Sequence, residues 1–286
     1  MIRLAVVGNP LSHSLSPVLH QHLLEQIGLE GKYEKRQVEA NALLPTLQEM
    51  KHEGYLGFNV TIPFKQSILV HLDQVEDAAR RINAVNTVRI AGKMCSGINT
   101  DASGFVRALE YRGVEIEQAS AVVLGAGGAA RAVVFSLIHN GIAELTLLSR
   151  TLSTASALVH EVQQRLEFDA IQVKAWADAE ISRQARSSQI LINTTPVGMW
   201  PHVDSSPFAF DFDARGLTVV DLVYNPLTTR FLQAARAAGA RTVDGLDMFI
   251  FQGVEALQFW LQEILDFDYR ELRTFLIEKL AAYGKR

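Results

Sequence analysis

Val122-Val123-Leu124-Gly125-Ala126-Gly127-Gly128-Ala129-Ala130-Arg131 is the stretch that decides how this chain folds. An apolar run breaks at glycine and resumes as an alanine-rich helix former. A strand ending in such a turn lets the backbone approach a pyrophosphate closely, and the next helix offers the anion its free N–H groups and positive dipole end. One match of this kind is weak evidence by itself. It gains weight from a second apolar run, Glu144-Leu145-Thr146-Leu147-Leu148, which follows at about the 20-residue spacing of a dinucleotide-binding unit. That run ends in Ser149-Arg150-Thr151. Many NAD-binding units carry a carboxylate there for the ribose 2′-hydroxyl. This chain carries hydroxyls and an arginine, whose planar fork suits a phosphate. The expected cofactor is NADP; the alternative is a surface arginine after a strand.

Outward from this stretch, the C-terminal half reads as strands at 121–124, 144–148, 171–174, 190–193 and 218–222, with a further one at 241–243. The N-terminal half alternates as well, with strands at 3–8, 33–38, 57–61 and 85–90. Ser16-Pro17 opens a helix that carries Leu19, Leu23 and Ile27 on one face and stops at Gly28. Further helices are expected over 43–52, from Pro63 to about Leu72, and from Asp101 through Tyr111 to Gly113. Such alternation implies an α/β fold with helices on both faces of the sheet. Two domains are expected: an α/β substrate domain of residues 1–100 and 245–286, and a Rossmann domain of residues 101–244. Phe249, Ile250, Val254, Leu257, Trp260, Leu261 and Ile264 mark terminal helices expected to pack back on the first domain. The substrate is expected in a cleft between the domains.

Composition narrows the function classes. The 286 residues are 48% apolar and 20% charged, with a net charge of −4 and no basic block, so there is no electrostatic footprint for nucleic acid. A single cysteine, Cys95, excludes an internal disulfide and a cysteine-rich metal site. Of eight histidines only His20 and His22 lie near each other, and a spacing of two points them apart on a helix, so no metal is expected. The apolar run Leu4-Ala5-Val6-Val7 is too short for a signal peptide, and no stretch is long enough to span a bilayer. A cytoplasmic location is expected.

Three polar clusters precede the glycine turn. Ser12-His13-Ser14-Leu15-Ser16-Pro17 follows the first strand at its C-terminal side, where open α/β sheets bind ligands; alternatively, Ser16 is simply a helix cap. In Asn59-Val60-Thr61-Ile62-Pro63-Phe64-Lys65, Asn59 and Thr61 share a face if the strand persists. Lys65 falls in the first turn of the expected helix, where the dipole opposes a cation, lowers its pKa and suits it to proton transfer; a snorkelling surface lysine is the alternative. Asn83-Ala84-Val85-Asn86-Thr87 and Asn99-Thr100-Asp101 bring amides, hydroxyls and a carboxylate to strand ends, a set suited to a polyhydroxylated ligand. Asp101 also reads as the cap of the helix it opens, a role that keeps it ionised beside Lys65.

Together with Gly125–Gly128, Asn193-Thr194-Thr195-Pro196-Val197-Gly198-Met199, Asp221-Leu222-Val223-Tyr224-Asn225-Pro226 and Gln252-Gly253, these segments resemble the shikimate dehydrogenase family, including its quinate/shikimate branch. The resemblance runs over nearly the whole chain. It implies reversible reduction of 3-dehydroshikimate to shikimate by NADPH, within aromatic amino acid biosynthesis. It further implies that Lys65 and Asp101 form the catalytic pair. Ser14 and Ser16 would hold the substrate carboxylate; Thr61, Asn86, Gln252 and Asp101 would hold the ring hydroxyls; and Tyr224 would line the site near the nicotinamide. Gly125, Ala126, Gly127, Gly128, Ala129, Ser149, Arg150, Thr151, Thr195, Met199, Val223 and Gly245 would contact the cofactor. The chain departs from the family at Thr154, where a second arginine is usual, and at Ile98, where polar or aromatic residues are frequent. The first departure weakens the expected NADP preference, and serine at position 16 leans toward shikimate over quinate. The alternatives are a paralogue acting on a related polyol acid and a non-catalytic NADP sensor; retention of both Lys65 and Asp101 argues against the sensor. The only partner expected is the small-molecule substrate, with monomer and homodimer both open.

Overall fold

Two six-stranded sheets organise the chain. The computed structural model describes residues 1–12 and 14–283. These divide into two compact units: Met1–Ser103 with Ile250–Asp268, and Gly104–Phe249 with the chain from Tyr269 onward.

The first unit runs β1 (Ile2–Gly8), α1 (Ser16–Gln26), β2 (Gly31–Gln37), α2 (Leu43–His52), β3 (Gly57–Val60), β4 (Gln74–Val75), α3 (Asp77–Ile82), β5 (Thr87–Ala91) and β6 (Met94–Ile98). Its strand order is β2-β1-β3-β5-β6-β4, with β5 alone reversed. Leu4 to Val7 of β1 are all buried, as befits a central strand covered on both faces. The unexpected strand β6 carries Gly97, a residue that argues against a strand by propensity. A Cβ there would lie 2.5 Å from Leu72 and 2.9 Å from Val85, so close packing dictates the glycine.

The expected helix from Pro63 does not form. Thr61–Lys65 makes turns, followed by a short 3-10 helix at Ser67–His71. The carbonyl of Lys65 accepts from Val85 N at 2.8 Å, which ties this turn to the chain entering β5. β3 likewise ends at Val60, so Thr61 continues only as a loop, its N–H donating to Val7 O at 2.9 Å.

Two helices pass from one unit into the other along the chain: α4 (Thr100–Tyr111), which changes unit at Gly104, and α9 (Leu246–Leu261), which changes at Ile250. In the first unit, α9 delivers Trp260, whose Nε1 donates to Val88 O at 2.9 Å. Gly57 makes room for it, since a Cβ would lie 2.3 Å from the indole.

The second unit contains β7 (Ser120–Leu124), α5 (Gly128–His139), β8 (Glu144–Ser149), α6 (Leu152–Leu166), β9 (Ile171–Ala175), α7 (Asp178–Arg186), β10 (Ile190–Asn193), β11 (Thr218–Asp221), α8 (Arg230–Ala237), β12 (Arg241–Val243) and α10 (Tyr269–Tyr283). Its sheet is wholly parallel in the order β12-β11-β10-β7-β8-β9. Counted from β7 this is the 3-2-1-4-5-6 arrangement of dinucleotide-binding folds, with the switch point between β7 and β10. Alternate residues of one strand enter opposite cores. Val123 and Ile192 face one cluster, while Val122 and Leu191 face the other.

α10 corrects the expectation that both terminal helices join the first domain, because it belongs to the second unit. The reason is electrostatic. Asp247 is wholly buried and must be paired. Tyr269 and Arg273 of α10 donate to it, Arg112 does so from the turn just after α4 at 2.5 Å, and Arg273 also reaches Asp244 at 2.7 Å. Burial opposes charge on Arg273, yet the two carboxylates hold its pKa above the ordinary value.

Candidate active site

In the first unit the loops after β1 and β3 lie against each other. Asn9 N donates to Ile62 O at 2.8 Å, and Gly8 permits the approach, since a Cβ there would stand 2.3 Å from Thr61 Cγ2. Ser14 and Ser16 face each other across 3.2 Å, and Ser14 Oγ also accepts from Ser16 N at 3.3 Å. Ser16 is the first residue of α1, with Leu15 at the cap position and no side-chain cap, so the capping alternative for Ser16 does not hold. Lys35 Nζ anchors the loop through Ser12 O at 2.9 Å; His13 lies outside the described residues. Gln252 sits on α9 beside Gly253, which lets that helix close on Leu19 of α1.

Lys65 Nζ donates to Asp101 Oδ2 at 2.6 Å, with both side chains mostly buried. The lysine is held in a turn, so the helix dipole expected to act on it is absent. The dipole acts on its partner instead: Asp101 occupies the first turn of α4, where negative charge is favoured. Capping falls to Asn99, whose Oδ1 accepts from Ala102 N at 3.2 Å. Relieved of that role, the Asp101 carboxylate takes Lys65 on one oxygen and Asn86 Nδ2, at 2.9 Å, on the other. An ammonium with two further hydrogens beside an oriented carboxylate is equipped to exchange a proton with a substrate oxygen. Ser14, Ser16, Thr61, Lys65, Asn86, Asp101 and Gln252 all lie in this unit.

In the second unit the glycine turn follows β7 at the switch point. Gly125 N donates to Leu148 O at 2.8 Å. Its φ of +112° is a conformation side chains rarely adopt, and a Cβ would lie 2.7 Å from Thr194 Oγ1 and 2.9 Å from Thr195 Cγ2. Gly127 caps α5 and has open space where a Cβ would project, which leaves the helix N-terminus accessible to an anion. Ala126 completes the turn, and Gly128 and Ala129 open α5. Ser149 Oγ accepts from Thr151 N at 3.2 Å and donates to Thr151 O at 3.1 Å, a tight turn that presents the exposed Arg150 beside the start of α6. This cradle of backbone N–H groups and one guanidinium fits a phosphorylated dinucleotide. Among the described residues no group of three or more histidine, cysteine or acidic side chains could hold a metal ion.

A buried carboxylate organises the remaining cofactor candidates. Asp221 accepts from Thr229 Oγ1 at 2.6 Å, Asn193 Nδ2 at 2.9 Å and Val223 N at 3.1 Å. Asn193 Oδ1 in turn accepts from Thr195 N at 3.0 Å and Thr195 Oγ1 at 2.6 Å. Burial pushes the Asp221 carboxyl up to about 6 against these donors. Thr195, Met199, Val223 and Tyr224 follow β10 and β11; the network holds Thr195 and Val223, Met199 N donates to Pro196 O at 3.1 Å, and Tyr224 stacks on Phe249 at 4.4 Å. Gly245 is required by contact, since a Cβ would meet Leu222 O at 2.2 Å. Sequence reading missed Asp221 and Thr229 as supports, and Tyr33, Thr87 and Thr100 behind Asp101. Asp221 was legible as a carboxylate inside an apolar strand.

A doubly wound dinucleotide-binding sheet, joined in one chain to a unit bearing a lysine–carboxylate pair, defines a nicotinamide-dependent oxidoreductase. Known proteins narrow the class. A family model for the shikimate dehydrogenase substrate binding domain matches residues 6–88, and one for shikimate / quinate 5-dehydrogenase matches residues 108–211. The shikimate dehydrogenase (NADP(+)) of Moorella thermoacetica is 40% identical over 256 residues, spanning 90% of this chain and 86% of the relative. The crystal structure of shikimate 5-dehydrogenase from Thermus thermophilus, in complex with NADP(H) and shikimate, is 38% identical with a TM-score of 0.83 and covers 99% of both chains. The ligand-free 5-ketofructose reductase of a Gluconobacter species is 29% identical with a TM-score of 0.83, over 99% of this chain and 98% of that one. The chain belongs to the shikimate dehydrogenase family.

Proposed function

We propose that this protein interconverts 3-dehydroshikimate and shikimate with NADP, as a step of aromatic amino acid biosynthesis. The observation that carries the reading is the Lys65–Asp101 pair at 2.6 Å, oriented by Asn86. Bound NADPH supplies the hydride for the carbonyl carbon. Lys65 gives a proton to the oxygen that becomes the hydroxyl, and takes it back in the reverse direction. Asp101 holds the ammonium and the same hydroxyl in place. Ser14 and Ser16 receive the substrate carboxylate through paired hydroxyls; Thr61, Asn86 and Gln252 fix the ring hydroxyls, and Tyr224 lines the nicotinamide. The glycine turn Gly125–Ala129 takes the pyrophosphate, and Arg150 with Ser149 and Thr151 takes the 2′-phosphate. Thr195, Met199, Val223 and Gly245 complete the cofactor contacts. A cytoplasmic enzyme is proposed, supported by a single cysteine that cannot form an internal disulfide.

A second reading, a paralogue reducing a related polyol, is favoured by Ile98, Thr154 and the likeness to a ketofructose reductase. Absorbance of the reduced nicotinamide decides between them, with shikimate and quinate each tested against NADP and NAD. Shikimate with NADP is expected to give the highest kcat/KM. A preference for quinate transfers the protein to the second reading, and inactivity with both acids removes the first.

A further inference from the structure

Behind Asp101 a line of buried polar groups runs away from the substrate side into the core of the first unit. Asn86, Thr87 and Asn59 are 3%, 0% and 7% exposed, and Tyr33 at the far end is 5% exposed. The carboxylate sets the direction at the near end of the line, and the backbone carbonyl of Asn86, which accepts from Asn59 Nδ2 at 3.3 Å, sets it at the far amide. An ionised Asp101 has no hydrogen to give, so the group facing Oδ1 at 2.9 Å must be Asn86 Nδ2. Asn86 Oδ1 then faces the other way, accepting from Thr100 N at 2.7 Å and from the Thr87 hydroxyl at 3.1 Å. Having given its one hydrogen, Thr87 Oγ1 must accept, and Asn59 Nδ2 donates to it at 3.0 Å. Asn59 Oδ1 is left facing Tyr33, whose hydroxyl donates at 2.7 Å.

We propose that Tyr33 is a positioning residue for the reaction, the origin of a one-way hydrogen-bond chain that fixes the Asn59 and Asn86 amides and aims the Asn86 N–H at the Asp101 carboxylate. The inference rests on the dehydrogenase reading above. Each donor polarises the next, so the chain acts as a single dipole with its positive end on Asp101. The Tyr33 ring is clamped to keep this direction. His20 lies flat on it at 4.5 Å with an interplanar angle of 8°, and Trp260 packs at 6.2 Å. Burial brings the His20 pKa down to about 3, so the stacked ring stays neutral throughout the working pH range. Lys65 pairs with the Asp101 carboxylate itself, and Glu255 of α9 accepts from Ser103 in the same turn of α4.

The test is Tyr33→Phe, which deletes one oxygen, with Asn59→Asp as a second variant that keeps the volume but gives Thr87 no donor. For Tyr33→Phe we expect kcat to fall about three- to tenfold, the scale of one lost hydrogen bond, with KM for shikimate within about twofold. We also expect the acid limb of the pH–rate profile to move to higher pH, since the carboxylate loses support. Asn59→Asp should move both in the same direction. Unchanged kcat and pH limb in both variants overturn the proposal. So does a loss of activity that merely tracks the melting temperature or KM while the acid limb stays in place. Titration of the Asp101 carboxyl by carbon NMR, in wild type and Tyr33→Phe without substrate, separates this inference from the dehydrogenase reading. If the wild type fails to oxidise shikimate, that reading fails, yet an upward displacement of the titration still supports the chain, and none refutes it.

Discussion

The two units build their candidate sites from different materials. In the second, the candidate groups are backbone N–H groups and turns close together in the chain: Gly125 to Gly127 before α5, and Ser149 to Thr151 before α6. In the first, they are side chains brought together over long separations, as in Lys65 with Asp101 or Asn59 with Thr87. A backbone site is written in glycines and strand ends and tolerates change where side chains point away. A side-chain site depends on every polar partner, because a buried donor or acceptor left alone costs about 1–3 kcal/mol. Damage to the first unit should therefore appear in turnover, and damage to the second in cofactor affinity.

The largest effect should come from Lys65→Ala. Loss of a general acid–base group lowers turnover by about 10²–10⁴-fold, while KM for shikimate should change little. Steady-state kinetics check this, and a variant with normal turnover would return Lys65 to the surface-lysine alternative. Next comes Gly125→Ala, which combines a φ of +112° with a Cβ 2.7 Å from Thr194 Oγ1. Strain of about 1–3 kcal/mol predicts KM for NADP raised by about ten- to a hundredfold. Calorimetry should find shikimate binding unaltered; a matching loss there would erase the contrast between the units.

Arg150→Ala is the finer probe of the second unit. One charge-assisted contact of about 1.5–3 kcal/mol corresponds to at least a tenfold rise in KM for NADP, and KM for NAD should barely move. Equal damage to both cofactors would make Arg150 structural. The smallest effect concerns the first unit's surface, where hydrogen bonds from Lys32 and then Tyr55 bring the Glu34 pKa down from 4.5 to about 2. A depressed carboxyl stabilises the fold fully above its unfolded value and loses that contribution as pH falls toward the folded one. Glu34→Gln should therefore cost about 1 kcal/mol or less at neutral pH, and the difference in Tm from wild type should close as pH falls from about 5 to 2. A gap that persists at the acid end would assign the effect to packing.

Legibility in the sequence follows the same division. The strands of the second sheet stand out because buried parallel strands are near-continuous apolar runs, and glycine marks their ends. In the first unit β6 reads Met-Cys-Ser-Gly-Ile and β4 has only two residues, so neither carries a hydrophobic signal; both are held by pairing partners. Where a helix was expected after Pro63 the chain makes turns bonded to distant Val85, and α10 went to the second unit through Arg273 and Asp247, pairings that no local pattern announces. The candidate site residues stand out as motifs. The supports that orient them, Tyr33 for Asn59 or Asp221 for Thr195, do not, since each is an ordinary residue until the fold supplies its neighbour.

Trp260 fills the space over Gly57 and bonds the Val88 carbonyl, yet it is made long after both. As the chain leaves the ribosome, all six strands of the second sheet emerge before this indole does. The first 103 residues lack Trp260 until the whole inserted sheet has been synthesised, and the second unit in turn receives α10 only after that. Nascent chains halted before Ile250 should therefore be cut by protease within the first sheet. For this protein, the half that begins first is completed only after most of the other half has been made.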